Sequence, residues 1–237
     1  VGFEPSREAL AELLARKSAF ETYLPYAVYD GTEQSLRICQ SPGMTSLLEP
    51  NQSVLSCFHG FDEWAKVLGR ETIETVRLDD VEEIGNLDFL KIDIQGAELE
   101  VFRHGVDRLA NCLVIQSEVE FMPMYENQPL FTDVDLFLRE QGFVLHRFID
   151  QTSRVVKPLI VDNNPYAGLS QLLWADAIFI RDFTRFDRLT ADQLLKTALI
   201  MHDVYNSFDI ALRALLTRDA MIGTRCGETY LRKLETH

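Results

Sequence analysis

Short apolar segments alternate with amphipathic helical ones from Val1 to Asp182, and this alternation constrains the fold more than any other feature of the chain. VGFEP reads as a strand halted at Glu4 and Pro5, and SREALAELLARK as a helix capped by Ser6 with Leu10, Leu13 and Leu14 on one face. ETYLPYAVYDG predicts a strand ending near Ala27 and Val28, and Asp30-Gly31 a turn into the alternating SLRICQ. A loop is expected from Ser41 to Asn51, a short helix around DEWAKVL, and a strand over ETIETVRLDDV. NLDFLKID predicts a buried strand ending in Asp93, followed by a helix over QGAELEVFRHG, a strand over NCLVIQSEVEF and a helix over TDVDLFLREQG that Gly142 closes. FVLHRFI and LLWADAIFIRD are the last strands. Such alternation predicts an α/β fold with a mostly parallel sheet covered on both faces. After Asp182 the pattern becomes helical: Thr190 and Gln193 form a capping box, and Leu194, Ala198, His202, Tyr205, Phe208, Leu212 and Leu216 follow at helical spacing. The expected organisation is an α/β domain over residues 1–182 and a helical appendage over 183–237, packed on the domain or on a second copy of the chain.

Composition excludes several function classes. The chain holds 23 Lys and Arg against 37 Asp and Glu, a net charge of −14. Nucleic acid and anionic membranes reward clustered cations, so neither is an expected partner. No apolar run reaches the roughly 18 residues of a membrane span, and VGFEPSREAL lacks the regions of a signal peptide, so a cytoplasmic location is expected. Cys39, Cys57, Cys112 and Cys226 show no metal-binding or disulfide spacing; reduced thiols and no metal are expected.

In a doubly wound sheet, ligands bind beyond the carboxyl ends of the strands. Glu4 ends one such strand, where a carboxylate can accept hydrogen bonds from both hydroxyls of an adenosine ribose; the alternative is a solvated strand-end acid. Asp93 ends DFLKI, with Lys91 one strand step away, and can bind a cofactor ammonium, orient an acceptor hydroxyl, ligate a cation or merely cap the next helix. Gln116, Glu118 and Glu120 alternate onto one face of their strand, as an acceptor or metal site or as an exposed edge. His104, His146 and His202 have structural explanations, and nothing narrows His59. DNNPY at Asp162 to Tyr166 lacks the second proline of the tetrapeptide used by amino-methylating DNA enzymes.

Several segments, in order, resemble one family. LDFLKIDIQGAELEVFRHG resembles the K-x-D-x-[E/Q]-G-x-E signature of the FkbM-type methyltransferases, S-adenosylmethionine-dependent enzymes with a Rossmann-like class I fold. VGFEPS is similar to that family's second strand, LPYAVYDG to its third, SPGMTSLLEPN to its G-x-[ST]-S-L loop and VRLDDV to its L-D-D strand. SEVEFMPMYENQPLFTDVDLFLREQGFVLHRF resembles the continuation in one bacterial branch. The resemblance implies that Glu4 binds the cofactor ribose with Pro5 and Ser6 shaping the turn, and that Ala27 and Val28 border the adenine. It places Asp93 and Gln95 near the methionine part of the cofactor, and Thr45, Ser46, Glu118 and Glu120 toward the acceptor. The implied reaction is O-methylation of a hydroxyl on a sugar, glycan or natural product, with Asp93 as first and Glu118 as second choice for handling the proton.

The resemblance also implies a first strand and a glycine-containing loop ahead of VGFEP, between the strands of VGF and DFLKI in the sheet. The opening at Val1, without an initiator methionine, is accordingly expected to reflect a chain cut short. Two other readings remain: a dinucleotide-binding oxidoreductase, and a degenerate methyltransferase-like domain serving in binding or assembly. The C-terminal helices would then be the contact surface of a homo-oligomer.

Overall fold

A computed structural model describes residues 1–235 as a mixed α/β fold. Strand β1 (Gly2–Phe3) feeds helix α1 (Arg7–Arg16), whose Ser6 cap accepts from the Ala9 N–H at 3.4 Å, and β1 pairs in parallel with β2 (Tyr23–Leu24). The single strand expected across ETYLPYAVYDG is two, β2 and β3 (Ala27–Tyr29), and they lie in different sheets. Pro25 explains the break: without an N–H it cannot continue a ladder. β3 pairs in parallel with β5 (Val67–Arg77), and β5 forms an antiparallel ladder with β4 (Glu33–Cys39). Between β4 and β5 lie two single-turn helices, α2 (Gln52–Leu55) and α3 (Phe61–Trp64).

The third sheet has four strands in the order β6 (Phe89–Ile92), β7 (Val114–Glu120), β9 (Gln171–Arg181), β8 (Phe143–Arg154). Of its strand pairs only β6–β7 is parallel; β9 is reversed and antiparallel to both β7 and β8. The expectation of a mostly parallel sheet is therefore not met. Among the described residues three strand pairs are parallel and three antiparallel. The cause is that β8 returns directly into β9, with no helix between them to carry the chain back to the start of a parallel strand.

Side-chain alternation along the buried strands gives this sheet two apolar faces, and helices cover both. Ile115, Val119, Ala177 and Phe179 face α4 (Glu98–Arg103) and α6 (Phe131–Glu140), which contribute Leu99, Val101, Phe102, Val134 and Leu138; α5 (Val106–Leu109) adds Leu109. Phe3, Leu24 and Val28 pack against this same core. Val114, Ile178 and Ile180 face α7 (Ala191–Asp203) and α8 (Phe208–Ile222), with Ala198, Met201, Ala211 and Ala214 at the contact, and α9 (Cys226–Leu234) packs behind. Thr190 and Gln193 make the capping box expected of them. The helical spacing read through Tyr205 is broken: Val204–Ser207 turns the chain, with Asn206 at a φ of +52°. Among the described residues no helix is long and apolar enough to cross a membrane.

Candidate active site

β6 stops at Ile92 beside Ser117 while β7 runs on to Glu120, and the residues after β6 gather with the last residues of β7 into one acidic cluster. Beyond Ile92 the chain must turn sharply: Gln95 adopts a φ of +61° and Gly96 one of +94°. A Cβ on Gly96 would come within 2.5 Å of the Gln128 amide nitrogen, so the turn and its packing both require glycine there. Glu98, 3% exposed, holds this turn from the first residue of α4. Its Oε1 accepts the N–H groups of Ile94 at 2.7 Å and Gly96 at 3.3 Å, so it ties the turn before α4 together, while the helix start itself has no side-chain cap from Asp93 or any other residue.

Asp93 is thereby free to face outward, and it is exposed. The Gln95 side-chain nitrogen donates to Asp93 Oδ1 at 2.9 Å and to Glu118 Oε2 at 3.2 Å, tying the two acids together. Gln95 is itself held on two sides: its carbonyl accepts from the Ser46 hydroxyl at 2.7 Å, and its Oε1 accepts from the Tyr125 hydroxyl at 3.4 Å. A buried turn carrying a non-glycine residue at positive φ and fixed by two distant segments is a rigid support for the acids it carries.

Asp93, Glu98 and Glu118 place carboxylate oxygens within 4.8 Å of one another, a spacing that a cation could span. Hydrogen bonding accounts for the cluster, however: the Gln95 amide lies between Asp93 and Glu118, and Glu98 is engaged by two backbone N–H groups. Crowding of the acids then shifts their protons. Burial, with the charges of Asp93, Glu98 and Asp176 and a hydrogen bond to Asp93, pushes the Glu118 carboxyl up to about 8. Burial raises Glu98 to about 7 against the pull of its backbone partners, and Glu120 is pushed well above the usual range by burial and by Glu98, Glu118 and Asp93. Around neutral pH, therefore, Glu118 is mainly a carboxylic acid and can donate a hydrogen bond.

Beside this cluster lies a cavity of about 110 Å³, its polar wall formed by Gln95, Glu118 and Glu120 and its apolar wall by Met44, Tyr125 and Trp174. A larger, open concavity of about 650 Å³ lies elsewhere, between Tyr26, Gly31 and the Thr75–Arg77 and Asp80–Glu83 segments. The structure thus brings together Asp93, Gln95, Ser46, Glu118 and Glu120. Thr45 is turned away: its hydroxyl accepts from the Cys39 N–H at 3.2 Å, and it fastens the loop to β4. Ala27 and Val28 lie in β3 against Thr75 and Val76, and Tyr26 before them lines the larger concavity. Glu4 ends β1, its Oε1 accepting the Ser6 N–H at 2.8 Å; Pro5 and Ser6 are exposed. Neither cavity includes Glu4.

Glu98, Tyr125 and Trp174 are members of the site not read as such beforehand. Glu98 carried a signal, since a carboxylate two residues after a glycine at a strand-to-helix turn can accept that turn's N–H groups. Tyr125 and Trp174 come from the segment after β7 and from β9, and no local pattern marks them.

The family described as Methyltransferase FkbM domain matches residues 1–145, which carry all the site residues named above except Trp174 and Asp176. No curated protein and no solved structure matches the chain. Since the match spans more than half of the 237 residues and includes the strand-end acids, the chain belongs to the FkbM methyltransferase domain family.

Proposed function

We propose that the protein is an S-adenosylmethionine-dependent O-methyltransferase whose acceptor is a hydroxyl of a sugar, glycan or natural product. The observation that carries this reading is the Asp93–Gln95–Glu118 constellation at the carboxyl ends of the parallel pair β6 and β7, beside a cavity that is acidic on one wall and aromatic on the other. Such a wall suits a polyhydroxylated acceptor: acids and amides take up hydroxyls while a ring of Trp174 or Tyr125 packs against the C–H face. The order β6-β7-β9-β8, with β9 reversed, together with the parallel pair β1 and β2 packed on the same core, supports a Rossmann-like arrangement.

The donor set suits the cofactor. Glu4 spends Oε1 on Ser6 and keeps Oε2 for a ribose hydroxyl, and Asp93 offers a carboxylate to an ammonium or hydroxyl. When bound, S-adenosylmethionine supplies an electrophilic sulfonium methyl. The chain's own work is to align the acceptor oxygen and accept its proton, and an aliphatic hydroxyl needs that acceptor during transfer because it is a weak acid. Asp93 is the proton-handling group, Glu118 shares its hydrogen bond, and Gln95 fixes the separation of the two. Glu120 and Ser46 shape the acceptor side, Glu120 from the cavity wall and Ser46 through the Gln95 carbonyl.

Titration of S-adenosylmethionine into the protein by calorimetry tests this reading. Saturable binding is expected, weakened about 10-fold or more in Glu4→Gln through loss of a charge-assisted hydrogen bond, with no response to NAD. Absence of saturable S-adenosylmethionine binding would overturn it and favour a binding or assembly role.

A further inference from the structure

Gln116 stands one strand step before Glu118 on the same face of β7, where the core gives way to the site. It is 8% exposed, and both ends of its amide are used. Oε1 accepts from the Tyr205 hydroxyl at 2.9 Å, and Nε2 donates to Asp176 Oδ2. Asp176 sits directly across the β7–β9 ladder from Glu118, and its other charged neighbour is the Lys91 ammonium at 3.9 Å. An unbroken hydrogen-bonded chain therefore runs from Tyr205 through Gln116 to the carboxylate beside Glu118.

Tyr205 belongs to the turn between α7 and α8, not to the sheet. This turn is fastened down at several points: Arg147 donates to the Tyr205 carbonyl, and His146 Nε2 lies 2.8 Å from the Ser207 hydroxyl. The phenol ring meets Phe89 edge-on at 6.2 Å, and the residue is 3% exposed. Packing alone would be served by phenylalanine. A phenol buried at this depth needs a partner, and the partner it has is the amide that orients Asp176.

We propose that Tyr205 is a positioning residue of the active site, acting through Gln116 to fix the Asp176 carboxylate beside Glu118, so that the α7–α8 turn is part of the catalytic apparatus as well as a cover for the sheet. The phenol donates to one end of the amide and Asp176 accepts from the other, so reversal of the amide would set its oxygen against a carboxylate. Without the phenol hydroxyl that constraint is halved, and Asp176 is no longer held in one place beside Glu118. The proposal rests on the reading of Asp93 and Glu118 as the reacting acids.

The test is a titration of Glu118 followed by nuclear magnetic resonance in protein carrying carboxyl-labelled glutamate, with the resonance assigned by its loss in Glu118→Gln. The groups facing Glu118 are Asp93, Glu98, Glu120, Asp176 and the Gln95 amide, and all but Asp176 are left unchanged. Tyr205→Phe keeps the ring and its packing, and it is expected to lower the Glu118 midpoint by about half a unit or more. Asp176→Asn should lower it further, and adding Tyr205→Phe to Asp176→Asn should change nothing more. Gln116→Met cuts the same chain at its middle link and should reproduce the shift of Tyr205→Phe, including where the latter folds poorly. An unchanged midpoint in Tyr205→Phe or Gln116→Met, or a further shift on adding Tyr205→Phe to Asp176→Asn, would overturn the proposal. The readout requires no turnover, so a positive result stands apart from whether methyl transfer to a hydroxyl is observed.

Discussion

Asp93→Asn is expected to lower methyl transfer by about 10²- to 10⁴-fold, the range for loss of a positioned proton acceptor. Asparagine preserves the shape of the side chain, and its oxygen can still accept the hydrogen bond from Gln95 at the Oδ1 position, so the turn from Ile94 to Glu98 keeps its support. What is removed is a carboxylate able to take a proton. The pH profile gives a second readout. Because Glu118 is pushed up to about 8 beside Asp93, wild-type activity should rise with pH toward that value as Glu118 gives up its proton and its charge adds to the pull on the acceptor's proton. In Asp93→Asn the residual rate should keep that dependence with its midpoint moved to lower pH, because one of the charges that raises Glu118 is gone. Turnover within about threefold of wild type would remove Asp93 from the role assigned to it.

Glu118→Gln is expected to stabilise the protein at alkaline pH while costing it activity. In the unfolded chain the Glu118 carboxyl titrates near 4.5, and in the folded protein near 8. Below the lower value both states hold the proton. As pH rises toward the upper value the unfolded chain gives up its proton and the folded protein keeps it, so stability falls across this window. For Glu118 the loss amounts to about 4 kcal/mol, and Glu98 and Glu120 act in the same direction. Glutamine mimics the protonated acid without titrating. Wild type and Glu118→Gln should therefore unfold within about 2 °C of each other at pH 5, while at pH 8.5 the variant should unfold about 5 to 10 °C higher. Thermal unfolding followed by circular dichroism at both pH values checks this. A variant less stable than wild type at pH 8.5 would mean that Glu118 is a charge balanced by the site, contrary to the crowding described above.

Such an arrangement, destabilised where it is charged, is what a site built for chemistry rather than stability looks like. It also explains which parts of the molecule could be read in advance. The Ser6 cap, the Thr190–Gln193 box and the alternation of Gln116, Glu118 and Glu120 are local, each fixed within a few residues, and each is found in the structure. The break at Pro25 was equally local and was passed over because the flanking apolar residues matched a strand. The burial of Glu98 is decided by the turn before α4 and the core behind it, which no pattern around the residue reveals. Tyr125, Trp174, Asp176 and Tyr205 reach the site from segments far apart in sequence, and their roles depend on pairing registers such as Glu118 opposite Asp176. The mostly parallel sheet failed for the same reason: strand segments were legible, but the direct return of β8 into β9 is a property of topology.

The proposed reaction moves a methyl group from S-adenosylmethionine to a hydroxyl oxygen. Incubation of the protein with S-adenosylmethionine bearing an isotopically labelled methyl, and with a panel of sugars, glycans and hydroxylated natural products, tests it most directly. The expected product is a labelled methyl ether on an acceptor oxygen, formed together with S-adenosylhomocysteine and at least about 100-fold more slowly with Asp93→Asn. Label on nitrogen or carbon, or no labelled product from protein that demonstrably binds S-adenosylmethionine, would contradict it.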